Sequence, residues 1–420
     1  MQYPKAPRVV YIGLAIVLAI GMFLRLPPQA FAPGGSLHAI EAIHPQPAFT
    51  QIGFDEGLYR EYVTALIKHG LTSYPDIVDR YIFVQQKLPG SILPPVRFLY
   101  IFAGYVWHSL FGSEALQALH DVAALFSVLT LGLATFFVWR LRGSTWALGV
   151  GALMAVAPTQ LHMSQHALVD GFFSFWALHV LWLFWENLRA PRDWRWLVGY
   201  VLSLALLVLT KENSFFVWIA LVVLILANGW LRFGVVTREV IVATILGPLL
   251  GVVVLVFLSG GIGTLIHSYQ LSVGKNFQLP YAVLTGDGPW YRYLVDLMLV
   301  SPIVLLLALG AVFCLDRTKK PELFMSIFIG ATYLIMCNVK YGMNLRYANM
   351  WDMPLCFLAF GQIMTLGSLA KQYRGWIVFA AVAMVSLIDL RQYYILAVQY
   401  PLYELVTHDL LRALHILKTR

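Results

Sequence analysis

Long apolar stretches follow one another along this chain, and they limit its fold more than any other feature of the sequence. A bilayer core about 30 Å thick is crossed by a helix of about 20 apolar residues. Backbone polar groups within lipid must be satisfied inside the segment, so we predict an all-α, polytopic membrane bundle of about eleven transmembrane helices. The stretches are 8–26, 116–140, 144–161, 169–188, 194–211, 214–231, 238–259, 293–315, 321–340, 347–367 and 375–391.

The composition agrees with this prediction. Of the 420 residues, 60% are hydrophobic and 12% are charged, whereas soluble domains carry about 25% charged residues. This excludes a water-soluble enzyme, a disordered chain and a nucleic-acid-binding module. The net charge of +8 comes from Lys and Arg between apolar stretches, which is the distribution that sets membrane orientation.

Basic residues occupy alternate connections between the stretches, so we expect those connections to face the cytoplasm and the others to face outward. The first stretch also resembles a signal peptide that ends at Ala30-Phe31-Ala32. Because Arg25 and Pro27-Pro28 interrupt the approach to that cleavage site, we expect this stretch to remain as the first span. The basic residues are Lys5, Arg8, Arg140, Arg142, Arg189, Arg192, Arg195, Arg232, Arg238, Arg317, Lys319, Lys320, Lys371 and Arg374.

We expect one membrane domain over residues 1–420, with a long first outward segment at 27–115. A second outward loop covers 260–292, and a short outward tail covers 392–420. Residues 94–111 are apolar enough to be taken for another span, but an extra span would invert every later loop. We therefore predict that this segment is a helix lying at the membrane surface.

Several ionisable residues that loop anchoring does not explain fall on the outward side of this topology. Charged groups near spans are costly and usually face a cavity, so their convergence predicts one site. They are Asp55, Glu56, Asp170, Lys211, Glu212 and Arg346.

Asp55 and Glu56 open a helical pattern that ends near Gly70. An acid in the first turn of a helix is also explained by capping and the helix dipole, so Asp55 has either that role or a place in the site. Arg346 precedes Tyr347 at the start of a span, and its guanidinium suits a phosphate, although a helix-end arginine that reaches toward the interface has the same pattern.

His162, His166 and Asp170 are spaced four residues apart and would share one face of a helix. Such a row is either a metal site or polar lining at a span end. The metal requirement is therefore unknown from the sequence, and a divalent cation remains open. The sequence contains no phosphate-binding glycine motif of the nucleotide-binding folds, which favours a lipid-borne donor.

The residues resemble the GT-C superfamily of polyprenyl-phosphate-dependent glycosyltransferases, especially protein O-mannosyltransferases and lipid A aminoarabinose transferases. The resemblance covers about 300 residues in the family's order. The matching pieces are FDEGLY (54–59), LPPVRFLY (93–100), FGSEALQALHDVAALFSVLTLGLATFFVWRL (111–141), HALVDGFFSFWAL (166–178), VLTKENSF (208–215) and LRYANMWDMPL (345–355).

The resemblance implies transfer of a sugar from a polyprenyl-phosphate carrier to a lipid, glycan or protein acceptor on the outer face of the cell (inner) membrane, with inversion at the anomeric carbon. It implies catalytic roles for Asp55, Glu56 and Asp170, with Asp55 as general base. Family members often place Lys or His before the proline pair, where this chain has Leu93, so Lys87 or Arg97 would take that phosphate-binding role.

The remaining roles implied by the resemblance concern donor and substrate binding. Lys211 and Arg346 would bind the donor phosphate, and the residues expected to contact substrate are Tyr59, His166, Glu212 and Tyr347. Two alternatives stay open: a lipid-linked-sugar flippase or transporter, and a ligase that uses a lipid-diphosphate donor.

Overall fold

The structure is a computed structural model that describes residues 7–45, 47, 52–340 and 342–417. All regular structure in these residues is helical, which confirms the all-α part of the predicted fold. The first half contains α1 (Arg8–Leu24), α2 (Phe54–His69), α3 (Tyr74–Lys87), α4 (Phe98–Phe111), α5 (Ala115–Arg142), α6 (Ser144–Ala155), α7 (Pro158–Ser164), α8 (Val169–Arg189), α9 (Trp194–Thr210) and α10 (Ser214–Leu231).

The second half continues with more helices and ends in a short tail. Its α-helices are α11 (Arg238–Leu258), α12 (Ile262–Asn276), α13 (Pro280–Thr285), α14 (Arg292–Val300), α15 (Pro302–Phe313), α16 (Lys320–Met336), α17 (Asp352–Gly367), α18 (Arg374–Tyr393) and α19 (Thr407–Ala413). Two further segments matter for the site: a 3₁₀ helix at Leu345–Trp351 directly before α17, and a π-helical turn at Tyr394–Gln399 that leads into the tail.

Four helical segments of the described chain are long and apolar enough to cross a membrane. They are Ala115–Arg142, Ser214–Leu231, Arg238–Leu258 and Lys371–Gln399. Large apolar side chains such as Ile245, Leu249 and Phe257 of α11 are exposed. Apolar surface of this extent fits contact with lipid, while the total of eleven spans stays a prediction.

Two of the predicted spans are each built from two helices. Residues 144–161 break between α6 and α7, and residues 293–315 break between α14 and α15. In both places a proline, Pro158 or Pro302, stands at the first position of the second helix. Proline cannot continue a preceding helix but is favoured at a helix start, so these prolines set the breaks.

The helices of the outward segment pack on one end of the bundle. α2 and α4 lie against each other and against the beginning of α5, around an apolar cluster that includes Tyr59, Val63, Tyr100 and Leu119. α4 covers most of residues 94–111 and is a helix as predicted. Its position at the membrane surface remains a prediction.

The opposite end of the bundle carries two ion pairs between helices. Arg140 of α5 binds Glu186 of α8 at 2.8 Å, and Arg142 of α5 binds Glu322 of α16 at 2.5 Å. Glu186 and Asp170 lie at the two ends of the same helix, α8. At 1.5 Å per residue they are roughly 24 Å apart, so charged groups mark two separate ends of the bundle.

Candidate active site

Arg346 is the centre of a buried group of charges. It lies in the 3₁₀ helix before α17, whose start is capped by Asn344: the Asn344 side-chain oxygen accepts a hydrogen bond from the Arg346 backbone N–H at 3.0 Å. The Arg346 side chain is only 6% exposed. A buried guanidinium is tolerated only beside compensating charge, and the surrounding elements supply that charge.

Three carboxylates from three different elements surround the Arg346 guanidinium. Nη2 donates a hydrogen bond to Asp55 of α2 at 2.7 Å. Nη1 lies 3.1 Å from Glu404 of the tail, and Nε lies 3.5 Å from Asp170 of α8. Residues far apart in sequence thus meet at one cation, and with Lys211 they form what we call the Arg346 cluster: Asp55, Asp170, Lys211, Arg346 and Glu404.

Two nitrogens of Arg346 are close to carboxylates without hydrogen-bond geometry. Nε and Nη1 are both buried, and neither has a hydrogen-bond partner within the described chain. A buried donor that is left unsatisfied costs about 1–3 kcal/mol, and more for charged groups. The N–H groups of these two nitrogens are therefore suited to an anionic ligand that presents paired oxygens.

Lys211 forms the second cationic part of the cluster. It follows α9 in extended conformation, and its ammonium donates a hydrogen bond to Asp170. The ammonium also lies 3.8 Å from the centre of the Tyr347 ring, a cation–π contact. The Tyr347 hydroxyl in turn accepts a hydrogen bond from Arg346 Nη2 at 3.2 Å, so Tyr347 connects both cations.

Arg97 and Glu212 form a separate ion pair next to the cluster. The Arg97 Nε donates to Glu212 at 3.1 Å, its Nη2 donates to the other carboxylate oxygen, and its Nη1 donates to the Tyr59 hydroxyl at 2.8 Å. This two-point pair joins the start of α4 to the α9–α10 connection. All three side-chain nitrogens of Arg97 donate hydrogen bonds to Glu212 or Tyr59, so the main role of this arginine here is to hold together the helix ends around Lys211.

Glu56 points away from Asp55, its neighbour in sequence. One oxygen accepts the Gly53 N–H at 2.8 Å, and the other accepts the Ala167 N–H at 2.8 Å and lies 3.3 Å from His166 Nδ1. Burial disfavours the charged form, but His166 and these N–H groups outweigh it and hold the pKa of Glu56 at about 2. Asp55 and Glu56 therefore contact different groups, because successive residues on a helix diverge by about 100°.

The predicted row of His162, His166 and Asp170 does not lie on one helix. α7 ends at Ser164 and α8 begins at Val169, so non-helical residues separate the last two members. The two histidine rings are close, with centres 4.5 Å apart. Within the described residues, no group of three or more His, Cys, Asp or Glu side chains could hold a metal ion.

Lys87 lies outside this arrangement. It is the last residue of α3, it is exposed, and its ammonium lies 3.5 Å from the centre of the Phe83 ring. Of the two candidates for the phosphate-binding role near the proline pair, only Arg97 adjoins the Arg346 cluster.

The tail contributes residues that the sequence analysis missed. Asn344 donates a hydrogen bond to Glu404, and the backbone oxygen of Tyr403 lies 3.3 Å from His162 Nε2. The Leu345 N–H donates to the Leu405 carbonyl at 3.3 Å. Burial raises the pKa of Glu404 to about 7. The sequence around Glu404 gave little local signal, because the same tail also contains Asp409 and Arg412.

Comparison with solved structures finds the same architecture in two membrane transferases. ArnT of Cupriavidus metallidurans in the apo state matches with a TM-score of 0.55 and 16% identity, over 92% of this chain and 75% of its own. The oligosaccharyltransferase of Archaeoglobus fulgidus in the apo form matches with a TM-score of 0.59 and 13% identity, over 92% of this chain and 55% of its own. Both are GT-C proteins.

The chain has the GT-C fold. The comparison confirms the fold that the resemblance in the sequence implied. No known protein-family model matches the chain, and no curated protein matches it. The chain spans about half the length of the oligosaccharyltransferase, so that protein has a large part without a counterpart in the match.

The two GT-C neighbours have also been solved with lipid phosphates. ArnT is bound to undecaprenyl phosphate, and it matches this chain with a TM-score of 0.55 and 16% identity. The archaeal oligosaccharyltransferase, there named AglB, is in complex with an inhibitory peptide and a dolichol-phosphate, and it matches with a TM-score of 0.53 and 14% identity.

Proposed function

We propose that this chain is an integral-membrane glycosyltransferase that moves a sugar from a polyprenyl-phosphate carrier to an acceptor at the extracytoplasmic face. The observation that carries the proposal is Arg346: a buried guanidinium whose Nε and Nη1 face carboxylates without hydrogen bonds, beside Lys211, at one end of an apolar helical bundle. The GT-C fold supports the same reaction class.

The donor phosphate would bind at Arg346 and Lys211. The guanidinium fork matches two phosphate oxygens, and an ammonium beside it adds a second charge. Tyr347, which contacts both cations, would hold them in place. The lipid phosphates found in the two GT-C neighbours agree with a carrier of this type.

The proposed site faces outward because basic connections lie at the other end of the bundle. Arg140, Arg142 and Arg189 all occur at helix ends remote from Asp170, and basic loops favour the cytoplasmic side. The roughly 24 Å between the two charged ends of α8 approaches the thickness of a bilayer core, about 30 Å. We therefore propose that the Arg346 end of the bundle faces outward in the inner cell membrane, and we keep eleven spans as part of this proposal.

The proposed reaction is a single displacement with inversion. Asp55 accepts the proton of the acceptor O–H or N–H group while the acceptor oxygen or nitrogen forms its bond to the anomeric carbon. The bond between that carbon and the phosphate oxygen breaks, and its electron pair leaves with the polyprenyl phosphate. Arg346 and Lys211 balance the charge that develops on the departing phosphate. Asp55 is 14% exposed, more than Glu56 at 6%, so it is the more accessible acid.

The acceptor is a lipid, a glycan or a protein that presents an O–H or N–H group to Asp55. A ligase that uses a lipid-diphosphate donor is the second candidate, since one neighbour with this fold is an oligosaccharyltransferase. A flippase is less compatible, because transporters build sites near the midplane from broken helices, and here the charges meet at one end.

Transfer and transport are separated by one experiment with the purified chain in liposomes. A radiolabelled polyprenyl-phosphate sugar is supplied with membrane extract as acceptor, and the loss of labelled donor is measured alongside its movement between leaflets. Consumption of the donor supports the proposal, and movement without consumption contradicts it. The same assay with a lipid-diphosphate sugar decides between the two enzyme candidates.

A further inference from the structure

Glu404 is the member of the Arg346 cluster that lies in the tail, and the proposed reaction assigns it no role. It comes from the tail after the π-helical turn, and its side chain is 12% exposed. The tail is fixed there by main-chain contact, because the Leu345 N–H donates to the Leu405 carbonyl. Glu404 is thus held against the arginine that would bind the donor.

The charge in the cluster is unbalanced toward the negative. Asp55, Asp170 and Glu404 face Arg346 and Lys211, which makes three carboxylates against two cations. Adding a singly charged phosphate diester to this group would increase the imbalance in a buried place, where charge repulsion is strong. The neighbouring pair of Arg97 and Glu212 is internally neutral and changes nothing in this balance.

Among the three acids, Glu404 is the one whose charge is least compensated. Asp170 has Lys211 as a direct partner, and Asp55 has a hydrogen bond of 2.7 Å from Arg346. Glu404 faces Nη1 at 3.1 Å without hydrogen-bond geometry, and its other partner is the neutral Asn344. A phosphate that uses Nη1 would need the space and the charge that Glu404 now takes.

We infer that Glu404 is a positioning residue for the donor: it takes up one proton when the phosphate binds and so releases Nη1 of Arg346. This inference rests on the proposed function, since it concerns the same phosphate site. In its charged form Glu404 keeps Arg346 occupied, and in its neutral form it remains hydrogen-bonded to Asn344 and leaves the guanidinium to the ligand.

The surroundings of Glu404 fit this behaviour. Arg346 favours the charged form, whereas burial and two nearby acids favour the neutral form, and the pKa of Glu404 is raised to about 7. Below pH 7 the neutral form dominates and the site is open to the donor, and above pH 7 the charged form competes with it. The groups that face it are Arg346, Asn344 and Tyr347 near α17, Asp55 of α2, Asp170 of α8, Tyr281 of α13 and Tyr403 of the tail.

The test is a binding measurement on the full chain in nanodiscs with a polyprenyl methyl phosphate diester. This probe carries one charge that does not titrate between pH 6 and 8.5. If only the form with neutral Glu404 binds, the apparent affinity scales with the fraction of that form and falls about 30-fold from pH 6 to pH 8.5. Glu404→Gln should bind tightly and nearly equally at both values.

Asp409→Asn is the matched control, because it removes one negative charge from the same tail without contact to Arg346. It should keep the pH dependence of the wild type. If Glu404→Gln does not fold, calorimetry of the wild type at pH 8 in two buffers of different ionisation enthalpy counts the protons directly, and we expect uptake of about one proton per diester bound.

The outcomes distinguish the two proposals. Binding that is independent of pH in the wild type, an unchanged pH slope in Glu404→Gln, or no proton uptake overturns the role of Glu404 and leaves the proposed function intact. No binding of the diester at any pH overturns the proposed donor site, and the inference fails with it.

Discussion

Substitution of the neighbouring acids Asp55 and Glu56 tests which of them is the proposed base, because the two carboxylates have different partners in the structure. Asp55→Asn removes the proposed base while its side-chain oxygen can still accept from Arg346. General base catalysis typically contributes 10²–10⁴-fold, so turnover should fall by about that factor. The folded state should change little, since Asp55 is partly exposed and makes one hydrogen bond to a side chain that has other partners.

Glu56→Gln should behave in the opposite way. Its carboxylate accepts backbone N–H groups on both oxygens, from Gly53 and from Ala167. An amide replaces one of these acceptors by an NH₂ group that faces a donor, which should cost about 1–3 kcal/mol of stability. The proton-accepting group at the site is untouched, so turnover should stay within a few-fold of the wild type.

Both variants are measured by donor consumption and by thermal unfolding in the same detergent. Turnover of Asp55→Asn equal to the wild type would remove Asp55 from the mechanism. A hundredfold loss in well-folded Glu56→Gln would show that the adjacent acid has a chemical task, and the reasoning from hydrogen-bond partners would be refuted.

Two further predictions concern packing around the site. An ideal Cβ on Gly53 would lie 2.0 Å from a ring atom of Tyr403, so Gly53→Ala should lower the midpoint of thermal unfolding. The double variant with Tyr403→Ala should recover part of this loss, and no recovery would contradict the assigned clash. Arg25 is fully buried and donates to the carbonyls of Met154 and Ala155 at 2.8 Å each, which end α6. Arg25→Met leaves these oxygens without the donor, so the free energy of unfolding should fall by about 1–3 kcal/mol. An unchanged midpoint of thermal unfolding would contradict a stabilising role for this arginine.

The membrane bundle could be predicted from the sequence because span length and apolar composition are local properties. The helix breaks at Pro158 and Pro302 had a local signal too, a proline at a helix start, but the continuous apolar pattern around each hid it. The prediction that residues 94–111 form a helix at the membrane surface came from keeping the basic loops on one side, and the helix itself is confirmed. These predictions depend on residues close together in the chain.

The site could be predicted only in part. Asp55, Asp170, Lys211 and Arg346 were found because charges beside spans are unusual, and the structure brings all four together. Glu404 was missed because its burial depends on Arg346, which lies 58 positions away in the chain. The ion pair of Arg97 with Glu212 likewise depends on contact between elements that are distant in the chain. Asp55 and Glu56 have different partners because Arg346 lies on one side of α2 and Ala167 on the other.

Arg346 and Lys211 are proposed to form the binding site for a lipid phosphate. The most direct measurement is an experimental structure of the chain in a nanodisc with bound polyprenyl phosphate. We expect the phosphate within hydrogen-bond distance of Arg346 and of Lys211, with Asp55 beside it. A well-ordered phosphate at the opposite end of the bundle, near Arg140 and Arg142, would rule out this binding site.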